Sequence, residues 1–326
     1  MAAERVVLAG LGSWGAGWYH ALCGRYAEGQ VAVVAPSPAT RDRIRAGDAW
    51  HASLAEALAE GPPPRFLVNA TPPHAHAELN LLAFARGVPV LCEKPIAATF
   101  DESRRCVEAA RAAGVPFMVA ENFRRAPAMR RAAELLRAGA IGPLGSMHAQ
   151  LFQELRTDKP YWAAMRHAFL EDVAVHVLDM ARCFAGAEAE SLSALSFNPA
   201  GSWHPVNAAC SVQARFRGGA AFTFSGGVAT VAAHTDWMGQ WRLEGARGAI
   251  LVEGSRLRLA TPEGGGAEDL AGAHSPGCLD EFLAHLSGGP EPETMGADYL
   301  RSQQLVHCAV LSAESGGAAV AVEPLP

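Results

Sequence analysis

Lys94 stands in Cys92-Glu93-Lys94-Pro95, directly after the apolar run Gly87-Val88-Pro89-Val90-Leu91. A short apolar run bounded by Gly and Pro predicts a buried strand, so the lysine falls at the strand's carboxyl end. In an open α/β sheet that edge is where ligands bind. Pro95 removes a backbone donor and restricts Lys94 to extended geometry, which holds the turn. Far downstream, Asp172 and His176 lie four residues apart on a predicted helix and so share a face. Asp179, three residues after His176, is placed to hold that ring from the next turn. Upstream, Gly10-Leu11-Gly12-Ser13-Trp14-Gly15 sits between an apolar strand, Arg5–Ala9, and a helix, the context in which G-x-G-x-x-G binds a dinucleotide. An ammonium, an imidazole and a carboxylate meeting over a dinucleotide would make a dehydrogenase. Plainer readings stand beside this one, with Lys94 a solvated loop lysine and Asp172 and His176 the wet face of an amphipathic helix.

The elements that must position these residues can be read in order. Gly10 permits a tight turn, Gly12 lets the backbone approach a pyrophosphate, and Gly15 lets strand and helix pack closely. Leu11, Ser13 and Trp14 complete the loop, and the phosphates would rest at the start of a helix from Ala16 to about Tyr26. The second strand, Val31–Val34, ends in Ala35-Pro36-Ser37 and lacks the Asp or Glu that usually binds the ribose of NAD. NADP is therefore admissible beside NAD, with Ser37 and Arg41 or Arg43 in reach of a 2′-phosphate. Those arginines serve equally well as the solvated face of a helix beginning near Pro38. A strand at Phe66–Val68 leads into Thr71-Pro72-Pro73, a stiff wall beside the crevice. His76 reads as a helix-start residue; with His74 it makes no metal pair, because i,i+2 residues do not share a helix face.

Further helices are expected at 76–87, 101–113 (capped near Thr99 or Asp101 and closed by Gly114) and 127–137, with a strand at 115–120. The alternation implies an α/β fold opening with a Rossmann domain on a six-stranded parallel sheet. From Leu144 the pattern changes to strand-like runs at 146–155, 189–197, 207–217, 220–228, 240–245, 249–253 and 256–260, joined by Gly-rich hairpin signals. A long helix at 169–184 interrupts them and helices at 278–286 and 297–315 close the chain. This predicts a C-terminal α+β domain with a large, mostly antiparallel open sheet. The expected division is 1–122 for the dinucleotide domain and 123–326 for the substrate-binding and oligomerisation domain, with the helix near 127–137 free to pack back on the first. An open sheet face needs a cover, commonly a second subunit, here a homodimer or homotetramer.

Composition narrows the class. Of 326 residues, 50% are hydrophobic and 18% charged, which fits a compact folded chain, and the net charge of −6 gives no basic face for nucleic acid. The 7 cysteines are dispersed without a C-x-x-C pair or a metal-ligand cluster, as expected of free thiols in a reducing cytoplasm. Met1-Ala2-Ala3-Glu4-Arg5 lacks the apolar core of a signal peptide. The uncharged stretch 191–214 is too interrupted by Asn, Pro, Gly and His to span a membrane. A cytoplasmic protein with a small-molecule substrate and no metal is expected.

The ordered set Ala9–Gly15, Ala70-Thr71-Pro72-Pro73 with His76, Glu93-Lys94-Pro95, Asn122-Phe123-Arg124 with Pro127, Gly139-Ala140-Ile141-Gly142 and Asp172…His176…Asp179 resembles the glucose-fructose oxidoreductase / inositol 2-dehydrogenase / rhizopine catabolism family. The C-terminal Ala313-Glu314-Ser315-Gly316 is similar as well, so the likeness covers nearly the whole chain. The resemblance implies an oxidoreductase that moves a hydride between NAD or NADP and a hydroxyl or keto carbon of a sugar, cyclitol or related polyol. It implies that Lys94 stabilises charge on the reacting oxygen, that His176 exchanges its proton, and that Asp172 holds a substrate hydroxyl. Cofactor contacts would come from the glycine loop, Ser37, Arg41, Thr71, Pro72, Pro73, His76, Glu93 and Lys94, and substrate contacts from Lys94, Arg124, Trp162, Asp172 and His176. Arg166–Glu171 replaces a glycine-rich run and Ala174 a frequent glycine, which leaves the substrate and the choice between Glu171 and Asp172 open. An NAD-dependent glycoside hydrolase and a non-catalytic dinucleotide-binding regulator are the alternatives.

Overall fold

Runs in which every residue is apolar and buried build the centre of the first sheet. In the computed structural model, which describes residues 4–325, Val6–Ala9 (β1) and Val31–Val34 (β2) are buried throughout, as expected of strands covered on both faces. Ala49–His51 (β3), Leu67–Asn69 (β4), Val90–Glu93 (β5) and Phe117–Ala120 (β6) complete a six-stranded parallel sheet in the order β3-β2-β1-β4-β5-β6. This is the doubly wound order, reversing direction between β1 and β4. Helices Ser13–Cys23 (α1), Leu54–Ala59 (α2), Pro73–Phe84 (α3) and Phe100–Ala113 (α4) alternate with the strands. α4 has a full capping box between Thr99 and Glu102 and ends at left-handed Gly114. The expected helix near Pro38 is a 3₁₀ segment, Pro38–Arg43. The reading of Met1–Ala3 lies outside the described residues.

The second sheet has nine strands. They are Leu144–Phe152 (β7), Ala189–Phe197 (β8), Ala209–Phe216 (β9), Ala221–Gly227 (β10), Gln240–Gly245 (β11), Gly248–Glu253 (β12), Arg256–Thr261 (β13), Gly264–Asp269 (β14) and Val320–Ala321 (β15). Their order is β14-β13-β12-β11-β7-β10-β9-β8-β15, antiparallel except where β7 meets β10. In β9, Val212, Ala214 and Phe216 are buried while Gln213 and Arg215 are exposed, the alternation of a sheet covered on one face. That cover includes Pro127–Arg137 (α5), against β12 and β13, and Ala174–Ala185 (α7), against β7 and β10; a short helix, Pro160–Ala164 (α6), precedes α7.

The chain divides into two compact units, one running to Ala120 with Cys278–Leu300 added, the other Glu121–Gly277 with the residues from Arg301 onward. The expected division at 122/123 differs in its treatment of 278–300. Cys278, Leu279 and Phe282 of Cys278–Leu286 (α8) join the apolar core around β1 and β2, and Phe282 meets Phe66 edge-on at 5.6 Å. Thr294 pairs along β6, its carbonyl accepting from Val119 N at 2.9 Å and its hydroxyl donating to Val119 O at 2.7 Å. α5 belongs to the second unit, where Arg131 reaches Glu268 on β14. The last helix is Gly296–Glu314 (α9). Among the described residues no helix is long and apolar enough to cross a membrane.

Candidate active site

The carboxyl ends of β1 and β4 form the switch point of the first unit, and the glycine loop leaves it. Gly10 has φ +90, and a Cβ there would stand 2.6 Å from Ala70 O; one on Gly15 would stand 2.2 Å from Gly10 O. Gly12 is different, since a Cβ there would meet nothing within 4 Å. Gly10 and Gly15 are thus required by the turn and by close packing, whereas Gly12 borders open space. Gly12 is also the N-cap of α1, whose first turn carries no acidic residue and no side-chain cap. Backbone N–H groups at such an end suit an anion, so the loop fits a dinucleotide pyrophosphate. Leu11 is buried in the apolar core, which leaves only its backbone for a ligand, while Trp14 is exposed.

At the far end of β2 no carboxylate follows Val34. The Arg41 guanidinium lies 4.1 Å above the Trp50 ring, and Trp50 Nε1 donates to Thr40 Oγ1 at 2.8 Å. Asp48, the nearby buried acid, is occupied by Tyr19 OH at 2.6 Å, by Arg45 Nε at 2.8 Å and by Gly29 N at 2.8 Å.

Lys94 follows β5, and its bond to Pro95 is cis. Two expected cofactor contacts have other partners here. His76 is fully buried in α3, with Nδ1 2.7 Å from Pro95 O and Nε2 2.7 Å from Thr71 O. It is therefore a tie between the loops after β4 and β5, and no edge of it faces a ligand. Burial pushes its pKa below the ordinary value, and the two carbonyls work against that. Glu93 accepts from Trp18 Nε1 at 2.7 Å and from Lys94 N at 3.3 Å, so its carboxylate braces the Lys94 turn against α1. Asn69 and Asn80, both buried and joined at 2.9 Å, extend the same network; Asn80 donates to Ile96 O at 3.4 Å.

In the second unit α7 is preceded by a π-helical turn, Phe169–Val173. This wider turn contains Asp172 and ends at Val173, three residues before His176. Asp172 Oδ2 accepts from Trp162 Nε1 at 2.6 Å. Trp162 itself is buried at 2% exposure, which corrects its expected role: it anchors the carboxylate and presents almost no surface to a substrate. Glu171 turns away, its Oε1 accepting from His167 N at 3.2 Å, and burial raises its pKa.

His176 is held on an edge and a face. Glu121, fully buried directly after β6, places Oε1 at 2.7 Å and Oε2 at 2.8 Å from Nδ1. Phe123 stacks on the ring, centroids 4.4 Å apart and planes 9° from parallel. Nε2 has no hydrogen bond among the described residues and is not sealed in the interior. The expected Asp179 contact is absent from this arrangement. Asp179 instead takes Arg124 Nε at 2.6 Å and Nη2 at 2.7 Å, and it accepts from Ser302. Arg124 is buried in that pair, which gives it a structural role beside the substrate contact expected of it. Burial raises the Asp179 pKa and Arg124 opposes the rise. Glu121 and Phe123 are the site residues that sequence reasoning passed over; their position at a strand's carboxyl end was the available signal. Among the described residues no group of three or more His, Cys, Asp or Glu side chains could hold a metal ion.

The first unit thus offers a glycine loop and a sheet edge with a lysine at it, and the second unit a histidine held on one edge and one face. Residues 5–121 match the oxidoreductase family with an NAD-binding Rossmann fold, and residues 129–251 match the GFO/IDH/MocA C-terminal domain. D-apiose dehydrogenase of Paraburkholderia graminis is 30% identical over 282 residues, 77% of this chain and 71% of that protein. Two solved structures share the fold. An oxidoreductase from Agrobacterium radiobacter, in complex with NAD+, L-tartaric acid and magnesium, has a TM-score of 0.87 at 23% identity, over 98% of each chain. Levoglucosan dehydrogenase, in complex with NADH and levoglucosan, has a TM-score of 0.82 at 22% identity, over 98% of this chain and 100% of that one. The chain belongs to the GFO/IDH/MocA family and is an NAD(P)-dependent oxidoreductase.

Proposed function

We propose that the enzyme transfers a hydride between a nicotinamide dinucleotide and a hydroxyl or keto carbon of a sugar, cyclitol or related polyol. The bound nicotinamide would supply the hydride acceptor or donor. Lys94, as a cation, stabilises negative charge on the reacting oxygen. His176 exchanges that oxygen's proton at Nε2, as base in oxidation and acid in reduction. Asp172, its carboxylate fixed by Trp162, accepts from a substrate hydroxyl. The observation that carries the reading is the His176 ring, held at Nδ1 while Nε2 stays open. The sugar-like substrate class is supported by relatives named for apiose and levoglucosan. These are dehydrogenases, which favours net hydride transfer over glycoside cleavage or a regulatory role.

The test is cofactor absorbance against a panel of aldoses, anhydrosugars, polyols and cyclitols. Lys94→Ala and His176→Ala are each expected to lower kcat by about 10²–10⁴-fold, with NADH still bound by fluorescence; unchanged turnover in either variant would remove that residue's role. For the cofactor, the missing carboxylate after β2 and the Arg41 guanidinium poised over Trp50 favour acceptance of NADP. Arg41→Ala should then raise the KM for NADP more than that for NAD. We place the enzyme in the cytoplasm, where its 7 free cysteines stay reduced. The open face of the second sheet exposes Leu195 and Phe197, the latter lining a cavity of about 350 Å³ with Cys210 and Ser225. This supports a homo-oligomer through that sheet, which sedimentation velocity decides.

A further inference from the structure

We infer that Glu121 is a positioning residue for the reaction: it fixes the tautomer and the orientation of His176, and so decides which ring nitrogen handles the substrate's proton. This rests on the reading of His176 as the proton-exchanging group. With Glu121 taken as the carboxylate, which only accepts hydrogen bonds, and both its oxygens within 2.8 Å of Nδ1, the ring then carries its proton there. The lone pair is thereby left on Nε2, the nitrogen without a hydrogen-bond partner among the described residues. Glu121 is itself fixed. It is fully buried, its Oε1 also accepts from Phe123 N at 3.0 Å, and its backbone carbonyl accepts from Arg125 Nη1 at 3.1 Å. Residues 121–123 thus grip the imidazole in two directions, Glu121 in its plane and Phe123 across its face.

The arrangement has a chemical consequence in each direction. In oxidation the substrate's O–H proton passes to the Nε2 lone pair, and the ring becomes an imidazolium whose Nδ1–H already points at a carboxylate. In reduction the same proton returns from Nε2 to the oxygen, and the neutral ring left behind is the tautomer Glu121 selects. A neutral amide at position 121 removes the selection, because a glutamine can donate to Nδ1 as readily as accept from it. The ring can then carry its proton on Nε2, where it cannot act as a base.

The experiment uses the full-length enzyme labelled with ¹⁵N-histidine, with His176 assigned by comparison with His176→Asn. In the wild type the long-range ¹H–¹⁵N pattern should be that of the Nδ1–H tautomer. In Glu121→Gln it should change to the Nε2–H form or a mixture. The same substitution should lower kcat by about 10²-fold or more, with KM and NADH affinity within about threefold of wild type, as expected when proton transfer and not binding is lost. Glu121→Asp keeps the carboxylate one methylene back and should retain the Nδ1–H pattern with a smaller kcat loss. It also carries the test should the glutamine variant fail to fold, since loss of the Nδ1–H pattern there would contradict the proposal. If Glu121→Gln keeps both the tautomer and kcat while His176→Asn abolishes turnover, Glu121 has no positioning role and the role of His176 stands. If His176→Asn turns over normally, the role of His176 falls, and this inference falls with it.

Discussion

Asp179 is fully buried and accepts two bonds from Arg124, at 2.6 and 2.7 Å, while Arg182 donates to the Ser302 hydroxyl beside it at 2.8 Å. Removing the guanidinium takes both charge-assisted bonds from a buried carboxylate and leaves it Ser302 and the more distant Arg182 guanidinium at 3.8 Å, and deleting one partner of a buried pair costs about 3–5 kcal/mol. Arg124→Ala should therefore lower the urea midpoint by that equivalent, and the double variant Arg124→Met/Asp179→Leu should be markedly more stable than the single one. Equal stability of the two would mean that the pair does not carry the packing there. The same residues show what residue type can and cannot reveal. Lys94 and His176 are legible because motif and order single them out. Asp179 seemed the natural partner of His176 because local periodicity sees only its own helix. Arg124, from another element, claims Asp179 with two charge-assisted bonds, and Glu121, equally remote in sequence, takes the imidazole.

The loop from Gly10 to Gly15 separates folding from binding within one element. At Gly10 a side chain meets both a positive φ and the Ala70 carbonyl, and at Gly15 it meets the Gly10 carbonyl. At Gly12 there is room. Gly12→Ala should leave the melting temperature within about 1 °C, since a mutation without a named structural cost moves stability little, yet weaken NADH binding by at least about tenfold. Gly10→Ala should lower both. Melting curves and NADH fluorescence on the two variants distinguish these outcomes, and a Gly12→Ala protein that binds normally would move the pyrophosphate elsewhere. Elements whose ends carry chemistry were readable in advance: α4 has its Thr99–Glu102 box and Gly114 stop, and α5 was placed at 127–137 as observed. β3 and β14 were not. Ala49-Trp50-His51 is too short to show periodicity, and β14, opening on three glycines, has no propensity of its own and is made by its register along β13. The π-turn is likewise set by tertiary packing, with Phe169, Leu170 and Val173 all buried.

Across the whole molecule, burial sets how stability responds to acid. His76, His167 and His204 all have pKa values held below the ordinary 6.5 by burial. At pH 7.5 each is neutral in the folded and the unfolded chain, and its contribution to stability is fully present. As pH falls through 6.5 the unfolded chain takes up protons that the native chain refuses, and the contribution declines until the depressed native values are reached. Each such proton tilts the unfolding free energy by at most about 1.4 kcal/mol per pH unit. Glu171 and Asp179 act in the opposite sense, because burial raises them above 4.5 and 3.8 and the native chain binds their protons first on acidification. A histidine variant therefore isolates the first effect. The melting temperature should fall between pH 7.5 and 5.5, and His204→Gln, which has no proton to gain, should show a shallower fall than the wild type over the same range. A wild-type melting temperature that stays level across that window, or a variant that follows the wild-type slope, would mean that these rings accept protons as easily inside the fold as outside it.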